Sequence, residues 1–186
     1  SVEAATFTID KINGVFANAA TTPTTYGAAT GNGTNNLQWG VAASSGTTRS
    51  GYGFANGGKV TRTTSGSFLL GKFTHKNGTI WTRSANLLRA DLFLSLTGTA
   101  NGTPFSLKSS FRINHYESRN NVGICPGNTA RPCGDAIGIS RLSGAPLVIR
   151  QGNTIFRLII DGFVRTLGGP FVNSLLTPEN QASSLF

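Results

Sequence analysis

A two-residue alternation of apolar and polar side chains, cut at intervals by glycine-containing turns, constrains this chain more than anything else in it. Phe7 and Ile9 alternate with Thr6, Thr8 and Asp10, Phe105 and Leu107 with Ser106 and Lys108, and Phe111 and Ile113 with Arg112 and Asn114. Successive side chains of a strand point to opposite faces, so this period marks strands buried on one side and wet on the other. More continuous apolar runs appear at Leu92-Phe93-Leu94 and from Ile155 to Ile160. Turn signals such as Asn32-Gly33, Asn56-Gly57-Gly58, Asn77-Gly78, Asn101-Gly102 and Gly152-Asn153 separate them. Together they predict an all-β, single-domain antiparallel β-sandwich, jelly-roll-like, of roughly ten strands. The best helical candidate is short, Thr177 to Ala182, with a Thr cap and Pro178 at the first helical position. The Thr-, Ala-, Gly- and Asn-rich stretch from Ala17 to Asn36 reads as a long surface loop. No repeat or boundary divides residues 1–186.

The stretch from Phe68 to Trp81 is the densest in information. Gly71 inside the apolar run predicts a close backbone approach, and Asn77-Gly78 predicts a hairpin turn after it. His75, one of two histidines in the chain, is thereby placed at a strand end among polar groups.

Composition sets the boundaries of function. Charged residues are 12 % of the chain, half the usual share of roughly 25 %, so few groups are left over for chemistry. No apolar window of about 18 residues exists, which predicts no membrane span. Cys125 and Cys133 enclose a Pro- and Gly-rich loop whose ends can meet, and the neighbourhood offers too few ligands for zinc, so a structural disulfide is expected. A disulfide, and a chain that opens at Ser1-Val2-Glu3 without Met as a processed one would, together point to an extracellular or cell-surface protein.

Net charge is +9, and from Lys11 to Arg89 there are eight basic residues and no acid. That balance suits either a solubilising surface or attraction to a polyanion such as acidic polysaccharide. Specific nucleic-acid recognition is not expected, because the basic residues are scattered rather than interleaved with aromatics.

Candidate sites are few. No Gly-x-Ser-x-Gly elbow or opposed carboxylate pair stands out, so the chain reads as non-enzymatic and without cofactor. Calcium is the ion the oxygen-rich residues would suit: Glu117, Asn120 and Asp135 supply hard oxygen ligands, although the two carboxylates would equally serve neighbouring turns or pair with Arg119 and Arg131. Trp81, Tyr52 and Tyr116 are candidates for stacking on sugar rings, whereas Trp39, in an apolar setting, is expected in the core. Asn32, Asn77 and Asn101 each open an Asn-Gly-Thr triplet, which fits a glycan acceptor but fits a turn better. Residues 1–12, with Val2, Phe7 and Ile9 alternating, form an edge strand or one donated to a neighbour, which would make the chain a self-associating filament or matrix subunit.

Leu70-Gly71-Lys72-Phe73-Thr74-His75-Lys76-Asn77 resembles the signature of the THxN family of bacterial surface proteins, in which Thr74, His75 and Asn77 are the defining positions. Gly14-Val15-Phe16-Ala17-Asn18, Gln38-Trp39-Gly40, Ser50 to Phe54, Glu117-Ser118-Arg119-Asn120, the cysteine loop with Asp135, and Phe171 with Thr177 to Ala182 resemble further blocks in the same order. The family is similar to the choice-of-anchor K domains and is often sorted by a PEP-CTERM tail. The resemblance implies an exported β-sandwich at the cell surface and implies no enzymatic activity. The chain departs from the family pattern in its high positive charge and in having no sorting tail after Phe186.

Overall fold

The structure is a computed structural model that describes residues 5–118, 125 and 133–186. Val2 and Asn120 lie outside the described residues, as do Arg119 and Arg131. Among the described residues every regular element is a strand: β1 (Phe7–Thr21), β2 (Asn36–Trp39), β3 (Ser50–Asn56), β4 (Val60–Arg62), β5 (Gly71–Lys76), β6 (Leu87–Ala100), β7 (Thr103–Tyr116), β8 (Asp135–Ser143), β9 (Leu147–Gln151), β10 (Thr154–Leu158), β11 (Phe163–Val164), β12 (Phe171–Val172), β13 (Ser174–Thr177) and β14 (Ala182–Leu185).

Ten of these strands build the two main sheets, one ordered β13-β8-β7-β6-β1-β4 and the other β14-β5-β3-β2. All pairings are antiparallel. The expected all-β antiparallel architecture is therefore observed, with fourteen strands among the described residues rather than roughly ten, because two further two-stranded ribbons, β9–β10 and β11–β12, accompany the main sheets. Cys125 and Cys133 are joined by a disulfide. Among the described residues no helix is long and apolar enough to cross a membrane.

Apolar faces of both sheets meet in one core. Ile9, Ile12 and Phe16 of β1 and Leu92, Leu94 and Leu96 of β6 face Leu37, Phe54 and Phe73 of the smaller sheet. Phe16 crosses the interface, with its ring 5.9 Å from Tyr52 and 6.3 Å from Phe73. Each such side chain contributes about 1.5–3 kcal/mol on leaving water.

Local expectations fared unevenly. Asn101 (φ 45°) and Gly102 (φ 81°) make the mirror-image two-residue turn that joins β6 to β7, and Gly152 (φ 56°) turns β9 into β10. Gly71 does mark a close approach, since a Cβ there would lie 2.5 Å from the Ala55 carbonyl oxygen.

Three local expectations are corrected. Asn77-Gly78 is not a hairpin, because the following strand, β6, belongs to the opposite sheet. Ala17 to Thr21 continue β1 rather than open a loop; the positive φ of Asn18 and shifts of register at Ala17–Ala20 break the alternation there while pairing with β6 persists. Thr177 to Ala182 are not helical: Thr177 ends β13, a turn follows, and Ala182 starts β14 in the other sheet.

Among the described residues, the outer face of the larger sheet carries an ion pair whose carboxylate is buried. Asp91 on β6 lies opposite Arg112 on β7, accepts its Nε–H at 2.9 Å and also accepts from Asn18 Nδ2 at 2.9 Å. Burial by itself would raise the Asp91 pKa, but these hydrogen bonds and the guanidinium charge outweigh it and lower the pKa. The stabilisation is therefore complete above the unfolded carboxylate value of about 3.9 and is lost as pH falls through the lower folded value. Because Arg112 is partly solvated, Asp91→Asn should cost only about 1 kcal/mol at neutral pH and should flatten the acid limb of a stability–pH curve measured by urea titration.

Candidate functional site

One end of the sandwich holds a polar cluster inside an otherwise apolar core. Strand parity builds it. Phe73 and His75 share the inward face of β5, Phe111, Ile113 and His115 that of β7, and Leu37 and Trp39 that of β2, as their burial shows. Pairing of Tyr116 with Ala136 and of Thr177 with Asp135 aligns the start of β8 with the ends of β7 and β13. His75 and His115, from opposite sheets, meet edge to face with ring centroids 5.2 Å apart. Trp39, Tyr52 and His75 pack as one aromatic block against His115.

His115 is held on both sides. Its Nδ1 lies 2.7 Å from the Tyr52 hydroxyl, while Nε2 faces Glu117 Oε2 at 3.4 Å and Asp135 Oδ2 at 3.6 Å. Asp135 is fixed through its other oxygen, which accepts the Ser118 backbone N–H at 2.9 Å. Ser118 Oγ donates to the Cys133 carbonyl at 3.0 Å, tying the cluster to the disulfide. His75 is fully buried, and neither ring nitrogen has a hydrogen-bond partner.

Electrostatics follow from this packing. Burial, reinforced by neighbouring His115, pushes the His75 pKa well below its usual value and keeps the ring neutral. Burial would do the same to His115, but the carboxylates facing Nε2 outweigh it and raise its pKa. Burial raises Glu117, His115 opposes the rise, and the charge of Asp135 adds to it. Burial and then the two carboxylates raise Tyr52.

The structure sorts the sequence candidates. Glu117 and Asp135 do converge, but on His115 Nε2 rather than on an all-oxygen calcium cage. Tyr52 is corrected as a sugar-stacking residue: it is 1 % exposed, with Trp39, Phe16, Phe73 and both histidines against it. Trp81 and Tyr116 are exposed, at 50 % and 62 %, and remain open to a ligand; Trp39 is in the core as expected. Thr74 binds Ser184 hydroxyl to hydroxyl, and Asn77 is buried with its Nδ2 donating to the Thr177 carbonyl, which removes it as a glycan acceptor. Phe7 and Ile9 lie in a strand already paired on both sides, with β6 and with β4. The meeting of His75 with His115 is not anticipated in the sequence, although their shared parity with Phe73 and with Phe111 and Ile113 is a readable signal.

Comparison with known protein families finds no family model that matches the chain, and a search of curated proteins finds no significant match.

Proposed function

We propose that the chain is a non-enzymatic extracellular or cell-surface protein that acts as a binding module for acidic polysaccharide or a similar polyanion. The segregation of charge carries this reading. Asp91, Asp135 and Glu179 are buried and Glu117 is mostly so, while Lys11, Lys72, Lys76, Arg83, Arg89 and Lys108 are among the exposed cations. Positive charge thus predominates on the described surface, in keeping with the formal +9, and positive potential of that kind raises the local concentration of polyanions. Exposed Trp81, in the same connection as Arg83, adds an apolar face on which a sugar ring can stack.

A self-associating structural subunit is the second reading. It needs a contact surface other than β1, because Phe7 to Ile9 already have neighbours on both sides, and donation would require that strand to leave its own core.

Binding to an immobilised uronic-acid polysaccharide, with a neutral glucan as control, tests the first reading. Affinity should fall on the order of tenfold or more between roughly 50 and 200 mM salt, and about tenfold more in Trp81→Ala, equivalent to about 1.4 kcal/mol. Equal binding to the neutral glucan, or no salt dependence, would remove the polyanion reading.

A further inference from the structure

We propose that His75, His115 and Asp135 form a binding site for a zinc-class divalent transition metal, with Glu117 as the fourth ligand. The proposal stands apart from polyanion binding, which uses the outer surface.

Its first support is the distribution of unpaired polar atoms. Among the described residues, the buried side-chain polar atoms without a hydrogen-bond partner are Trp39 Nε1, both nitrogens of His75, Asn77 Oδ1, Asp135 Oδ2 and Thr177 Oγ1. All belong to residues at this one end of the sandwich. Buried polar atoms in folded proteins are nearly always paired, with protein, water or an ion, so several orphans in one place indicate a missing partner. A lone buried polar group costs about 1–3 kcal/mol, and coordination of an ion would remove that cost for His75 and Asp135 together.

Geometry is the second support. One ligand atom from each of His75, His115 and Asp135 lies within 4.8 Å of the others. Ligands around a tetrahedral ion at about 2.0–2.1 Å are separated from each other by roughly 3.3–3.5 Å. The 3.4 and 3.6 Å from His115 Nε2 to the two carboxylates match that spacing and are too long for good charged hydrogen bonds. The widest separation, up to 4.8 Å, exceeds that spacing by roughly 1.4 Å, the movement that binding would ask of His75.

The surroundings fit a metal rather than a simple ion pair. His115 has its second nitrogen on the Tyr52 hydroxyl and Asp135 its second oxygen on the Ser118 N–H, the supporting bonds that orient metal ligands. Glu117 and Asp135 place two carboxylates against one histidine, and the only ion pairs they make among the described residues are with it. A divalent ion balances that charge. Two imidazoles select zinc, cobalt or nickel over calcium, which wants oxygen throughout.

The test uses the whole chain produced in zinc- or cobalt-supplemented medium, with metal counted by mass spectrometry of the dissolved protein and the cobalt form read by visible absorption. About one metal per chain, with the intense bands of tetrahedral cobalt, is expected. His75→Gln should lower retention at least tenfold, and Tyr52→Phe, which keeps all ligands, should lower affinity about 10- to 100-fold. Wild-type protein that is folded by circular dichroism yet carries no metal overturns the proposal. So does undiminished metal in folded His75→Gln; should that variant not fold, the wild-type metal count and cobalt spectrum decide.

Discussion

Trp39→Ala is expected to lose about 3–5 kcal/mol of unfolding free energy, the largest effect of any single substitution considered. Trp39 is fully buried at the end of a four-residue strand, and its ring is edge-on to Tyr52 at 4.9 Å and to His115 at 5.0 Å. Truncation removes the wall against which the polar cluster rests and leaves a cavity that two short sheet ends cannot collapse to fill. Domains of this kind are stable by about 5–15 kcal/mol, so the loss is a large part of the total. Trp39→Phe separates packing from polarity: it keeps most of the buried area, drops the unpaired Nε1 and should cost less than about 2 kcal/mol. Urea titrations of the three proteins, compared at their midpoints, give both numbers; a loss below about 1 kcal/mol for Trp39→Ala would place this ring outside the core.

Gly78→Ala should be nearly as damaging, at about 2–3 kcal/mol. The cause is space rather than dihedral angle. A Cβ at Gly78 would sit 2.0 Å from the Thr48 carbonyl oxygen and 2.9 Å from its carbon, both backbone atoms that cannot swing away. The approach is tight because Ser50 Oγ accepts the Gly78 N–H at 3.1 Å and donates to its carbonyl at 3.0 Å, clamping the exit of β5 to the entrance of β3. Gly102 is the informative contrast. It has φ 81° and open space around it, so Gly102→Ala meets only backbone strain, about 1–2 kcal/mol. Thermal melts of both variants should rank them in that order, and the reverse order would mean that Asn77-Gly78 is an ordinary turn.

That pair of glycines also shows what the sequence could and could not reveal. Asn101-Gly102 and Asn77-Gly78 are the same dipeptide before Thr, and only the first is a hairpin. Local chemistry states that a turn is permitted; whether the next strand pairs with the last depends on which sheet receives it. The same distinction explains Thr177 to Ala182, where the local pattern favours a helical cap but the segment carries the chain from β13 to β14 between sheets. Alternation located β1 and β7 because each buries one face along most of its length, whereas β6 was marked by a continuous apolar run. It failed from Ala17 to Thr21, where small residues and a bulge erase the pattern although the backbone pairing continues.

The site was half legible. His75 at a strand end, Asp135 fastened next to the disulfide, and Glu117 near it could each be read from the chain. Their convergence depends on β5 lying across from β7, a contact between opposite sheets that no spacing encodes. Tyr52 was misread for a related reason: on an alternating Gly-Tyr-Gly-Phe strand its ring could face either side, and the pairing with His75 across the β3–β5 ladder turns it inward.

The site depends on the two histidines meeting between the sheets, and because the chain has only two, one spectrum tests that contact directly. In protein labelled at histidine alone, a nuclear Overhauser cross-peak between the imidazole ring protons of His75 and His115 is expected from centroids 5.2 Å apart. Two sharp imidazole signals with no cross-peak, each in ready exchange with water, would contradict it.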